Sequence, residues 1–140
     1  DLWRETRGTA PQALMVGPVP ISPFAREVIV DAGDHYERGR FTWLPVGLTF
    51  DPQRIPKNAS RPETSVAREQ SRDVRAFLVW SRFPFWIIEE RPDGIQVVVA
   101  DMRFAGPSTA AGDRFTARTM LPRDQNPESQ IPNPQVPTSQ

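Results

Sequence analysis

The sequence predicts an α+β domain: a mainly antiparallel, strongly twisted sheet of about five or six strands, with one principal helix packed across a face. Three observations carry that expectation. β-Branched and aromatic runs recur between turn signals, as in AREVIVDAGDHYERGRFTW and FPFWIIEERPDGIQVVVADMRF. One stretch only, TSVAREQSRDVRAFLVWS, places apolar residues at helical spacing. A chain of 140 residues with 38% hydrophobic content suffices for one core, which assigns residues 1–122 to a single domain.

Residues 2–9 read as a short helix or as a linker, because Gly8 and Pro11 punctuate them, and residues 1–12 are taken as a helical linker. From Ala13 the texture is strand-like. Pro18, Pro20 and Pro23 remove backbone donors there, so this entry suits a sheet edge or a crossing. Residues 26–30 and 35–43 form a predicted hairpin across DAGD, where Gly33 can take a left-handed conformation. LPVGLTFDP is expected to continue extended, and QRIPKNASRPE to be a loop.

In the helical stretch Val74, Phe77, Leu78 and Ser81 share one face, extended backward by Val66, Ala67 and Gln70, while Arg68, Glu69, Arg72 and Arg75 face water. Thr64 or Ser65 is placed to cap it and Pro84 to end it, and Ser71 is able to cap a second helical piece. Residues 85–90 and 95–104 are joined by RPDG. Taking Pro92 and Asp93 as the centre of a type I turn and Gly94 as a bulge sets Arg91 opposite Ile95, Ile88 opposite Val98 and Trp86 opposite Ala100. Both faces of this pair are apolar, which predicts strands covered on two sides and Trp86 in the core. A last strand is expected over residues 114–121. Residues 123–140 are rich in Pro, Gln, Asn and Ser and are expected to be a disordered tail.

Composition removes several function classes. Seventeen basic and seventeen acidic residues cancel, so no nucleic acid is expected as a partner. With no cysteine there are no disulfides, thiolate metal sites or Cys nucleophile. The longest apolar runs fall far short of the roughly 20 residues that cross a bilayer, so the chain reads as soluble. Because it opens on Asp1 in mid-texture, it is expected to be a piece of something longer.

Few residues suggest chemistry. His35 lies between Asp34 and Glu37, but there is no second imidazole to complete a metal site, and no metal ligand is assigned. Glu89 and Glu90 are adjacent on a strand and point to opposite faces, so they cannot act jointly. Ser22, Ser81 and Ser108 lack a nucleophile-elbow context, and no phosphate-binding glycine motif occurs. The stretch WSRFPFW sets arginine among aromatics. Its favoured reading is core, with Phe77, Trp86 and Phe104 buried and Arg82 either snorkelling to water or paired to an acid such as Asp101. The rival reading is a ligand-binding or catalytic pocket built from Tyr36, Trp80, Arg82, Asp101 and Arg103.

PISPFAREVIVDAGDHYERGRFTW, PKN at residues 56–58, VRAFLVWSRFPFWIIEE and VVVADMRF together resemble the C-terminal portion of the bacterial membrane-bound metal-dependent hydrolases, also described as LexA-binding, inner-membrane-associated hydrolases. The resemblance spans residues 2–121. It implies that the metal-binding His and Asp residues lie in a membrane-spanning N-terminal half that this chain does not contain, so no catalytic or metal residue carries over and any divalent metal belongs to that missing part. It further implies a non-catalytic domain held at the bacterial inner membrane by the missing helices, on a side left open. Its expected partners are the membrane-spanning half of the same protein and a protein partner or small ligand.

Overall fold

The computed structural model describes residues 2–19, 22–105 and 115–123. Its elements run α1 (Leu2–Arg7), β1 (Ala13–Val19), β2 (Ser22–Asp31), β3 (His35–Trp43), β4 (Val46–Pro56), α2 (Pro62–Gln70), α3 (Arg72–Trp80), β5 (Pro84–Arg91), β6 (Gly94–Asp101) and β7 (Thr116–Leu121). The α+β class and the antiparallel pairing are as expected. The single sheet is not: the strands divide into a four-stranded sheet, β1-β2-β3-β4, and a three-stranded sheet, β5-β6-β7. Two sheets form because β2–β3 and β5–β6 each carry apolar side chains on both faces, and each face needs its own cover.

Three clusters supply that cover. Ile29 and Tyr36 of the first sheet meet Phe85 and Ala100 of the second, with Phe83 and Met102, in a core between the sheets. The far face of the second sheet, with Trp86, Ile95, Val97, Val99, Ala117 and Leu121, is covered by Ala67, Val74 and Phe77 from α2 and α3. On the far face of the first sheet Val28 and Val30 pack on Trp3. The short helix α1 is therefore docked through a buried tryptophan, and the linker reading of the first residues gives way.

The principal helix is two. Ser71 leaves the helical conformation, and its Oγ accepts a hydrogen bond from the Val74 N–H at 3.3 Å, the second cap that its position allowed. The start lies earlier than Thr64 or Ser65. Pro62 opens the first turn, where its missing N–H would have had no partner anyway, and Thr64 turns its Oγ back onto the Arg61 and Ala59 carbonyls.

The β2–β3 hairpin forms across Gly33, whose φ is +111°. β1 lies at the sheet edge, as its prolines required. LPVGLTFDP is extended from Val46 onward as β4, but its first two residues, Leu44 and Pro45, joined by a cis peptide, form the turn between β3 and β4. β4 then runs through Gln53–Pro56, residues expected in a loop, because Tyr36 and His35 offer Ile55 and Pro56 pairing partners.

The β5–β6 register differs from the expected one. Arg91 stands opposite Gly94, Ile88 opposite Val97, and Trp86 opposite Val99. Gly94 enters the ladder because β7 comes up against it: a Cβ there would meet the Leu121 carbonyl oxygen at 2.3 Å. Trp86 is still core, at 1% exposure.

The segment PKN joins the two sheets. Lys57 reaches Asp31 with its Nζ at 2.6 Å and lies over the Tyr36 ring, and its carbonyl accepts from the Trp86 N–H at 2.9 Å. Asn58, at a positive φ of 53°, donates its amide to the Trp86 carbonyl at 2.9 Å. The last strand covers Thr116–Leu121, and the rest of its expected span lies outside the described residues, as does the expected tail beyond residue 123.

Candidate functional site

Asp101 ends β6 with its side chain turned under the α3–β5 connection, where it is buried. Both carboxylate oxygens are occupied. Oδ1 accepts from the Arg103 backbone N–H and from Arg103 Nε, each at 2.9 Å. Oδ2 accepts from Ser81 Oγ at 2.7 Å, the Arg82 N–H at 2.9 Å, the Phe83 N–H at 3.4 Å and Arg103 Nη2 at 2.9 Å. Burial works to raise this carboxyl's pKa, but the hydrogen bonds from Arg103, Ser81 and Arg82 outweigh it and bring the pKa down to about 2. The Arg103 guanidinium is raised in turn by its bond to the carboxylate.

Of the five residues nominated from sequence, the structure brings Trp80, Asp101 and Arg103 together. Arg103 lies over the Trp80 ring at 5.7 Å and over the Phe104 ring at 5.1 Å, with Nη2 also 3.5 Å from the Trp80 carbonyl oxygen. Of the two alternatives for Arg82, the ion pair to Asp101 is taken instead by Arg103 at 2.9 Å, and Arg82 sits in the connection with its backbone N–H inward and its side chain exposed. Tyr36 does not line this site. It is buried between the sheets, edge-on to Phe83, and its hydroxyl donates to the Pro84 carbonyl at 3.1 Å.

Phe104, expected in the core, is exposed and extends an aromatic row. Phe77 meets Trp80 edge-on at 4.7 Å, Trp80 meets Phe104 at 6.1 Å, and Phe104 stacks on Phe115 at 4.4 Å. Beside the row a cavity of about 480 Å³ opens between α3 and β7, lined by Asp73, Ala76, Phe77, Trp80, Thr116 and Arg118 among others. Sequence reasoning missed Phe115, Asp73 and Arg118. They lie on separate elements, and only the packing of α3 against β7 brings them to one place.

A second polar cluster surrounds Glu37, which is buried on the α1 side of the first sheet. Its Oε2 accepts from Arg7 Nη2 at 2.7 Å, and its Oε1 lies 3.4 Å from His35 Nε2 and 3.6 Å from Arg54 Nε. His35 Nδ1 faces Asp34 Oδ1 at 2.5 Å. Burial raises the Glu37 pKa, but the hydrogen bonds from Arg7 and His35 leave it lowered overall. The two carboxylates address opposite ring nitrogens instead of converging, and Arg7 and Arg54 already hold Glu37. This set does not fit a metal ion, and among the described residues no group of three His, Asp or Glu side chains does.

No family model, curated protein or solved structure matches the chain. No helix among the described residues is long and apolar enough to cross a membrane.

Proposed function

We propose that this chain is the non-catalytic C-terminal domain of an inner-membrane metal-dependent hydrolase, which supports that enzyme and docks a partner or substrate for it. The observation that carries the non-catalytic half is the state of Asp101. A carboxylate held by six donors, with a pKa near 2, has neither a free lone pair nor the basicity to take a proton at neutral pH. The other half rests on the resemblance of residues 2–121 alone; within those strings Lys57 and Asn58 tie the sheets together, and the residues from Trp80 to Trp86 build the Asp101 pocket and the core beneath it.

The test is activity of the longer parent enzyme with and without this domain. Metal-dependent turnover that survives deletion in kind, with reduced turnover on its own substrate, is expected. Loss of all metal chemistry on substituting Asp101 in a folded parent would refute the reading.

The rival, a ligand-binding module, is favoured by one observation: Phe77 and Trp80, at one end of the aromatic row, line the cavity between α3 and β7. A small aromatic ligand that quenches tryptophan fluorescence in the intact chain, and no longer does so in Trp80→Ala, would establish it.

A further inference from the structure

We infer that the groove between α3 and the outer edge of β7 binds an extended segment of a partner protein, which adds to the three-stranded sheet as a fourth strand. This rests on the docking reading above and names the partner's chemistry. The groove runs along the backbone edge of the strand. Thr116, Ala117 and Arg118 all line it, and consecutive strand side chains point to opposite faces, so a space that touches all three lies beside the main chain. β7 is the last strand of the order β5-β6-β7, and among the described residues no strand lies beyond it. Such an edge turns N–H and C=O groups outward at alternate residues, the pairing chemistry that an incoming strand uses.

The other wall is α3, which packs on β7 while α2 reaches back to β6. Asp73, Ala76, Phe77 and Trp80 stand on that wall at helical spacing. Its Trp80 end lies at the Thr116 end of β7, because Ser81 bonds Asp101, whose neighbour Ala100 pairs with Thr116. The groove therefore has an aromatic end at Phe77 and Trp80, prolonged by Phe104 and Phe115, and a polar end at Asp73 and Arg118.

The occupant has to offer backbone donors in register and one large apolar side chain for the aromatic end. Residues 124–140 of this chain follow β7, but Pro127, Pro132, Pro134 and Pro137 leave them no run longer than four residues with every N–H in place. A second copy is excluded by spacing. Pairing two β7 edges antiparallel sets the strands about 4.8 Å apart with both α3 helices on one face, whereas packed helix axes need about 8–10 Å. Two α3 helices, each beside its own β7 edge, would collide. A single extended segment of another protein brings no helix layer and no prolines. One acid and one base at the polar end call for no strongly charged occupant, in keeping with main-chain pairing as the source of affinity.

The experiment selects binders of the intact chain from a displayed library of random linear peptides and measures the enriched ones by fluorescence anisotropy. Proline-free sequences with a large apolar residue are expected, and binding them should slow amide exchange in β7. Trp80→Ala should weaken binding at least about tenfold. Ala76→Arg, at an exposed helix position, fills the groove and should do the same while leaving the thermal melt unchanged. N-methylation of alternate peptide amides gives two half-methylated forms. One should bind as before and the other about tenfold more weakly, since alternate residues of a strand turn their N–H groups to opposite sides.

No enriched peptide, binding that survives Trp80→Ala and Ala76→Arg, or equal loss from the two methylated forms overturns the inference. So does a dimer in sedimentation velocity that Ala76→Arg dissolves, which would give the edge to a second copy. The two proposals fail separately. Reduced parent turnover on domain deletion without an enriched peptide retains docking and rejects the added strand, whereas peptide binding with unchanged parent turnover rejects only the supporting role.

Discussion

Asp101→Asn is nearly isosteric, and its effect can be worked out from the six donors around the carboxylate. An amide keeps one accepting oxygen and turns an NH₂ toward the donors that served the other, so either the two groups from Arg103 on Oδ1 or the four on Oδ2 face a donor. The Arg103 guanidinium also loses its counter-charge while remaining largely buried. Breaking one side of a buried ion pair costs about 3–5 kcal/mol, a large share of the roughly 5–15 kcal/mol that a domain has in total.

The wild-type pH dependence gives an independent check. The folded pKa near 2 lies nearly two units below the ordinary 3.8, equivalent to about 2 kcal/mol. Because the folded value is the lower one, this stabilisation is complete above about pH 4 and disappears as pH falls toward 2. Urea unfolding at neutral pH and at steps down to about pH 2 measures both quantities. The wild-type midpoint should fall steeply over that acid range, and Asp101→Asn should start lower and lose that part of the slope. If Asp101→Asn does not fold, Ser81→Ala removes one donor and should cost about 1–2 kcal/mol. A neutral-pH loss below about 1 kcal/mol, or parallel acid limbs for wild type and variant, would refute the argument.

Other positions give simpler tests. Trp86→Ala should destabilise by about 3–5 kcal/mol in the same urea assay, since its ring is fully buried beneath α2 with Arg68 across its face. Tyr36 is the one tyrosine of the chain, and burial together with the nearby Asp31 and Asp101 charges raises its pKa, so alkaline absorbance should show tyrosinate only as the domain unfolds. Tyr36→Phe should cost about 1 kcal/mol by removing the hydroxyl bond to Pro84. Gly94→Ala meets both a φ of +153° and the Leu121 carbonyl, and should cost more than about 1 kcal/mol and weaken amide protection in β7.

The candidate site was legible in its parts and not in its pairing. Trp80, Asp101 and Arg103 stand in the rival pocket reading because arginine lies well over aromatic faces, and they do meet. What the pattern could not say is which arginine would face the carboxylate. Arg82 and Arg103 are equivalent as residue types. The choice falls to Arg103 because it lies two residues beyond Asp101 in the turn that leaves β6, and so can close on the carboxylate with its backbone and its guanidinium together. Arg82 presents its N–H at the end of α3, with its side chain directed to solvent. Tyr36 lies apart from the other three for a different reason. An aromatic with a polar tip reads as a binding residue, but here the tip serves an inter-sheet hydrogen bond that appears only once the two sheets are stacked.

The β5–β6 register shows how far periodicity reaches. In a strand with one wet face, alternation alone sets register, since a slip of one residue would turn the apolar set to water. Here FWII on β5 faces VVVA on β6, and both parities are apolar, so either register buries the same kinds of atoms. Only the turn could decide, and RPDG suits a bulged turn as well as a two-residue one. The deciding contact comes from outside the hairpin, where Leu121 of β7 approaches Gly94 closely enough to exclude any side chain. The glycine that reads locally as a turn residue is thus required by a strand 27 positions later. The core assignment of Trp86 survives the change of partner for the same reason that the register was hidden: with helices covering one face and the first sheet covering the other, Trp86 is buried whichever valine or alanine lies across from it.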